Sequence, residues 1–156
     1  MSRSIAFMLI ARFRTFLYTL LLGLVMFTGA PANAVTINQF SIPTSNAQPH
    51  SLTGGLDGNN WFTEGKGNNI GQITTAGVIT EFPVPTTNAQ PYGITAGADG
   101  NLWFTELYGN NIGQITTAGV ITEFPIPTAF SYPVGITAGP DGNLWFTEYL
   151  GNNIGQ

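Results

Sequence analysis

The chain has 156 residues, a formal net charge of −4 at pH 7 and no cysteine. Beyond residue 34, Lys66 is the only lysine or arginine, and it stands against eight carboxylates. This composition excludes the basic patch that binds nucleic acid, and it disfavours anionic membranes and anionic substrates. Without disulfides, the core or closure of a ring must hold the fold together.

The first 34 residues are typical of a secretory signal peptide. Three arginines precede an uncharged apolar run over 16–27, and Ala32-Asn33-Ala34 then supplies a small-x-small cleavage site. The apolar run is about 12 residues long, and roughly 20 are needed to span a bilayer. We therefore predict an exported protein, periplasmic or extracellular, with no membrane span after cleavage. An uncleaved signal anchor is the alternative.

The rest of the chain is an internal repeat. The octet Asp-Gly-Asn-Leu-Trp-Phe-Thr-Glu recurs every 42 residues, with Asn60 replacing leucine in the first copy. The copies run over 36–77, 78–119 and 120–156. A repeat of this length indicates stacked supersecondary units rather than one irregular domain.

Each copy is predicted to form four short strands and no helix. In the second copy the strands cover 93–96, 101–106, 112–116 and 120–124. Asp99-Gly100 supplies the positive φ of a tight turn between the first two, and Pro125 ends the fourth. We expect the repeated tryptophans to pack between the units and the repeated aspartates to serve the turns.

Four strands per 42 residues predict an all-β fold, a β-propeller of four-stranded blades with about three blades present. A β-solenoid is the alternative. Closed propellers take roughly four to eight blades, and residues 154–156 fall within a third strand. We therefore expect the front part of a longer protein or a truncated reading frame. Self-association of several chains into one ring is the alternative.

The repeats resemble the virginiamycin B lyase (streptogramin B lyase) family. The likeness covers residues 36–156 and lies in Leu-Trp-Phe-Thr-Glu followed by Ile-Gly-Gln-Ile-Thr. It implies a seven-bladed propeller. It also implies a magnesium-dependent carbon–oxygen lyase that linearises streptogramin B antibiotics, which are cyclic depsipeptides, by elimination at the lactone ester.

The same resemblance implies site residues. Pro49-His50-Ser51-Leu52 matches the family's Pro-His-x-Ile pattern, so His50 takes the position of the catalytic or substrate-holding histidine. Glu64 follows fourteen residues later and takes the position of a magnesium ligand. Gln48 stands where the family places an acid. Tyr92 replaces His50 in the second copy and is our candidate for contact with a small-molecule or cyclic peptide ligand.

Other interpretations stay open. Because Glu64, Glu106 and Glu148 occur in every copy, they suit a structural role, accepting backbone N–H bonds at the start of each loop. If they face a central channel, they form a ring suited to a hard cation. For the whole protein, the alternatives are a non-catalytic exported binding module and a lactonase-like hydrolase. One histidine and no cysteine leave a nucleophilic triad unsupported.

Overall fold

The computed structural model describes residues 36–156, so the predicted signal peptide lies outside the described residues. Residues 40–156 form one compact unit. Within the described part, the regular structure is eleven strands. They are β1 Pro49–Gly54, β2 Asn60–Glu64, β3 Asn69–Ile73, β4 Ile79–Pro83, β5 Pro91–Ala96, β6 Leu102–Glu106, β7 Asn111–Ile115, β8 Ile121–Pro125, β9 Pro133–Ala138, β10 Leu144–Glu148 and β11 Asn153–Gly155.

The strands form three antiparallel sheets in chain order, which confirms the all-β prediction. β1–β4 and β5–β8 are four-stranded, and β9–β11 is three-stranded. β5 begins at Pro91 rather than at Gly93, because Pro91 pairs with Glu106 ahead of a bulge. β8 includes Pro125, which an outermost strand tolerates because one edge needs no ladder donor.

The sheets stand side by side as blades, with their first strands adjacent. β1 contacts β5, and β5 contacts β9. Thr63 Oγ1 donates to the carbonyl of Tyr92 at 2.7 Å, and Thr105 Oγ1 donates to the carbonyl of Val134 at 2.9 Å. These two side-chain hydrogen bonds connect the first blade to β5 and the second blade to β9.

The hydrophobic core lies between the first and second blades rather than inside either one. A four-stranded sheet has two faces and covers neither alone, so each blade buries its apolar side chains against its neighbour. Trp61 is fully buried there, as expected, whereas Trp145 in the third blade is 36% exposed. The cluster comprises Trp61, Ile70, Val84, Ala89, Ile94, Leu102, Phe104 and Ile115.

The predicted Asp-Gly turns are present. Gly58, Gly100 and Gly142 adopt φ values of 79°, 83° and 80°, which glycine accepts without steric cost. Across residues 36–156, no helix is long and apolar enough to cross a membrane.

Candidate functional site

One end of the blades carries two of the three predicted site residues, His50 and Tyr92. We call this end the mouth; it carries residues 44–50, 65–68, 86–92, 107–110, 128–134 and 149–152. The inner strands β1, β5 and β9 begin here with Pro49, Pro91 and Pro133, which pair with Glu64, Glu106 and Glu148. The glutamate that closes each octet therefore lies on the strand next to the one that carries the residue after the proline.

His50 and Tyr92 meet at the mouth. Their rings stack with centroids 4.4 Å apart and planes 24° from parallel. His50 is exposed and Tyr92 is half-buried. A bulge follows the first residue of each strand, between Pro49 and Leu52 and between Pro91 and Ile94. The structure thus brings together two residues that the sequence placed in separate repeats.

Gly65 makes room for the histidine ring. A Cβ built on Gly65 would lie 2.5 Å from His50 Nε2 and Cδ2, closer than any real Cβ contact. The second and third copies carry Leu107 and Tyr149 at this position. Our prediction from sequence missed Gly65, although a glycine found only in the copy that holds the histidine was a usable signal.

One cavity borders His50, and a second borders Gly65. One, of about 300 Å³, is lined by apolar side chains of the first blade, among them Phe40, Leu52 and Phe62, together with His50 itself. The other, of about 280 Å³, is polar and is lined by Gly65, Lys66, Asn68, Asn88, Gln90, Tyr108 and Gln48. His50 lines the apolar cavity, and Gly65, whose missing Cβ leaves space for the imidazole, lines the polar one.

Gln90 adds an unused acceptor beside the polar cavity. Its side-chain oxygen is buried and has no hydrogen-bond partner. A buried acceptor without a donor costs free energy, about 1–3 kcal/mol in mutational series. Because this oxygen has no exposed surface, it marks a local cost rather than a contact open to a ligand.

Glu64 does not join His50 at the surface. Its side chain is fully buried, and Oε2 accepts a hydrogen bond from Asn69 Nδ2 at 3.1 Å. Oε1 has no partner, and Glu106 repeats this arrangement with Asn111 at 2.8 Å and its own unpartnered Oε1. The free oxygen is therefore a property of the blade and does not single out Glu64.

We expected these glutamates to accept hydrogen bonds from backbone N–H groups, and this expectation was wrong. Their carboxylates accept from asparagine side chains, not from backbone N–H groups. Backbone N–H groups donate instead to glutamates on the fourth strands of the first two blades. Thr44 N donates to Glu81, and Thr86 N donates to Glu123, both at 2.9 Å. The three octet glutamates of residues 36–156 are buried rather than exposed.

Burial raises the pKa of Glu64 to about 7, against the hydrogen bond from Asn69 and with the help of the nearby Glu81. The pKa of Glu106 is raised to about 7 by burial in the same way, against Asn111 and with Glu123. Two carboxyl groups at close range cannot both ionise easily. The buried carboxyl groups of Glu64 and Glu106 are therefore protonated more easily than a free glutamate.

The donor set within residues 36–156 does not by itself fit a magnesium ion. Magnesium takes six oxygen ligands in octahedral geometry. The described residues contain no group of three or more histidine, aspartate or glutamate side chains arranged around one point. Glu64 has one unpaired oxygen, which is buried, whereas His50 is exposed. Magnesium stays a prediction of the family resemblance.

The sequence model of the virginiamycin B lyase family matches residues 28–156. A catalytically inactive histidine-to-alanine variant of virginiamycin B lyase from Staphylococcus aureus, solved with quinupristin, is 49% identical, with a TM-score of 0.77 over 79% of this chain and 42% of that one. A streptogramin B lyase structure is 45% identical, with a TM-score of 0.74 over 76% of this chain and 40% of that one.

A more distant structure supports the fold alone. A protein of unknown function from Desulfotomaculum acetoxidans is 19% identical, with a TM-score of 0.54 over 76% of this chain and 43% of that one. The chain thus spans about two fifths of the length of the lyases it matches. With a family match over most of its length and near half identity to solved lyases, the chain belongs to the virginiamycin B lyase family.

Proposed function

We propose that this chain supplies part of the active site of a carbon–oxygen lyase that opens streptogramin B-type cyclic depsipeptides by elimination at the lactone ester. The observation that carries the proposal is the stacked His50–Tyr92 pair, placed at the mouth beside a glycine that clears space for it. The near half identity to lyases supports it, because one of them was solved with quinupristin.

In this proposal His50 acts as the general base. Imidazole exchanges protons near neutral pH, so it can take the proton from the carbon α to a carbonyl. The electron pair of that C–H bond forms a Cα=Cβ double bond, the Cβ–O bond of the ester breaks, and the carboxylate leaves. No water is added, and the proton ends on His50.

Tyr92 serves as a positioning residue for the base and as a wall for the substrate. Its ring stacks on the imidazole and restricts the planes that His50 can adopt. The apolar cavity beside His50 would take an apolar part of a cyclic peptide, and the polar cavity beside Gly65 would take its amide parts. A mixed ligand of this kind suits both cavities.

The test follows the opening of quinupristin by the full chain with mass detection. Elimination gives a linear product of unchanged mass, whereas a lactonase-like hydrolysis gives a product one water heavier. We expect His50→Ala to slow opening by about 100-fold or more, the usual contribution of a general base. Opening that survives His50→Ala, or a product containing added water, would contradict the proposal.

Metal removal tests the magnesium prediction separately. If magnesium is required, EDTA should stop ring opening and added Mg²⁺ should restore it. A binding module is the second candidate, favoured by the aromatic mouth. Equilibrium binding of quinupristin without any turnover, under both metal conditions, would favour that function.

A further inference from the structure

The differences between the second and third copies concentrate at the mouth. Apart from the buried pair Val84 and Ile126 and the turn pair Ala98 and Pro140, every differing position lies there. The mouth positions of the third copy are Ala129, Phe130, Ser131, Tyr132, Val134, Tyr149 and Leu150. The scaffold is held nearly constant while one end changes.

Phe130 and Tyr132 occupy backbone positions that suit them poorly. Their φ values are 55° and 50°, in the left-handed region. The second copy places Asn88 and Gln90 there, with φ of 54° and 52°. Asparagine enters this region several times more readily than most residues, and a bulky side chain there is an outlier. Such outliers collect at binding and active sites, where a function offsets their cost.

The connection between β8 and β9, over residues 126–132, is held in place by a hydrogen bond that the second copy lacks. Ser131 is fully buried, and both its N–H and its hydroxyl donate to Asn110 Oδ1, at 2.8 and 2.9 Å. Ala89, its counterpart, has no hydroxyl. Asn110 Nδ2 donates to the carbonyls of Ile126 and Thr128, both at 3.1 Å. All polar atoms of the Asn110 side chain are therefore satisfied within the connection.

The result is an uncharged aromatic cleft between the second and third blades. It has a volume of about 280 Å³ and is lined by Leu107, Tyr108, Asn110, Phe130 and Tyr132. Tyr108 and Tyr132 meet edge to face, with centroids 5.7 Å apart. Phe130 is 78% exposed and Tyr108 is 63% exposed. Large aromatic rings left open to water gain free energy when a ligand covers them.

The equivalent cleft between the first and second blades has the opposite character. It is lined by amides and by Lys66, the only lysine of the chain, and it shares Tyr108 with the aromatic cleft. The two clefts therefore differ in chemistry on one scaffold. None of the side chains that line the aromatic one carries a charge.

We propose that the cleft of Tyr108, Phe130 and Tyr132 is a binding site for an uncharged aromatic ring of a ligand. The ring stacks on Phe130 and on the exposed face of Tyr108. Binding of the ring in this cleft does not depend on elimination at His50.

The test is an NMR titration of the full chain with two probes, N-acetyl-phenylalanine amide and N-acetyl-leucine amide. We expect the phenylalanine probe to bind more tightly. The double variant Phe130→Asn and Tyr132→Gln restores the residues of the second copy at both left-handed positions. It should weaken the phenylalanine probe roughly three- to tenfold, the loss expected for one aromatic stack, without lowering the Tm.

Pro140→Ala is the matched control, since it also restores a residue of the second copy but lies in a turn outside the mouth. It should leave binding unchanged. If the double variant unfolds at a lower temperature, Tyr108→Leu, which introduces the residue of the third copy, carries the same test. Equal affinity of these variants and the original chain, or no preference for the phenylalanine probe, would overturn the proposal.

Discussion

At the scale of single residues, the octet glutamate shows how burial changes the meaning of a repeated acid. Glu106 is fully buried, its Oε1 has no hydrogen-bond donor, and Glu123 lies close enough to raise its pKa. Protonation of Glu106 removes a buried charge and its repulsion with Glu123. Glu64 and Glu81 repeat this arrangement in the first blade.

Stability should therefore fall as the pH rises. The pKa of Glu106 is raised from 4.5 to about 7 in the folded chain, so the folded state binds more protons than the unfolded state between those values. This contribution is fully present below pH 4.5 and is lost as the pH passes 7. Unfolding with urea across this range measures it.

Replacement of the acid should remove that dependence. Glu106→Gln keeps the shape and carries an amide donor toward Glu123, so it should lose less stability than the original chain between pH 5 and pH 8. Glu148→Gln is the matched control, because the described third sheet has no fourth strand and thus no second glutamate opposite Glu148. If the stability of Glu106→Gln depended on pH as that of the original chain does, the raised pKa of Glu106 would be contradicted.

The fit of His50 can be measured without any substrate. His50 is the only histidine, so its ring protons give one isolated set of NMR signals. Stacking on Tyr92 should shift them by the ring current. Gly65→Ala places a Cβ against the ring and should abolish this shift, as should Tyr92→Leu. Signals that are identical in all three chains would show that the rings do not stack.

At the scale of the element, the middle of each blade depends on a glycine that faces an aromatic ring. Gly71 pairs with Phe62 across β2 and β3, and Gly113 pairs with Phe104 across β6 and β7. A Cβ on Gly113 would overlap Phe104 Cζ. The phenylalanine lies flat over the neighbouring strand because the glycine leaves that space empty.

Gly113→Ala should therefore destabilise the chain by about 1–3 kcal/mol, the usual cost of overpacking a filled core. Gly54→Ala is the matched control, because its nearest neighbour, Asn60 Oδ1, is 4.0 Å from the added Cβ. Chemical unfolding of both variants compares them directly. Similar losses would show that the effect comes from removing any strand glycine rather than from Phe104.

At the scale of the whole molecule, buried threonines connect the blades. Thr105 is fully buried; its hydroxyl accepts from Gly93 N at 2.9 Å and donates to the carbonyl of Val134 at 2.9 Å. Thr147 is exposed and accepts from Gly135 N at 2.9 Å. The repeated threonine thus bridges two blades only where a further blade follows.

Thr105→Val should cost about 1–3 kcal/mol, because it leaves the buried N–H of Gly93 and the partly buried carbonyl of Val134 without their partner. Thr147→Val removes only an exposed bond and should cost about 1 kcal/mol or less. Urea unfolding of the two variants measures the difference. An equal cost would mean that the bond to Val134 adds nothing to the contact between blades.

Much of this architecture follows from local rules. Asp-Gly turns, alternating side chains and prolines at strand ends place the strands within one or two residues, because each is governed by neighbours in the chain. The resemblance to the lyase family, through its Pro-His pattern and fourteen-residue spacing, identified His50 and Glu64 as candidates. Position along a strand does not report burial, so the enclosure of Glu64 by Asn69 and Glu81 escaped prediction.

By itself, the sequence determined the all-β blade, its repeat and the residues that differ between copies. Only the tertiary structure decided which of these residues act together. His50 stacks on Tyr92, and Tyr108 meets Tyr132, across the boundary between blades. Such contacts depend on how one sheet is placed against the next, and that placement comes from side chains of both sheets packing into one shared core.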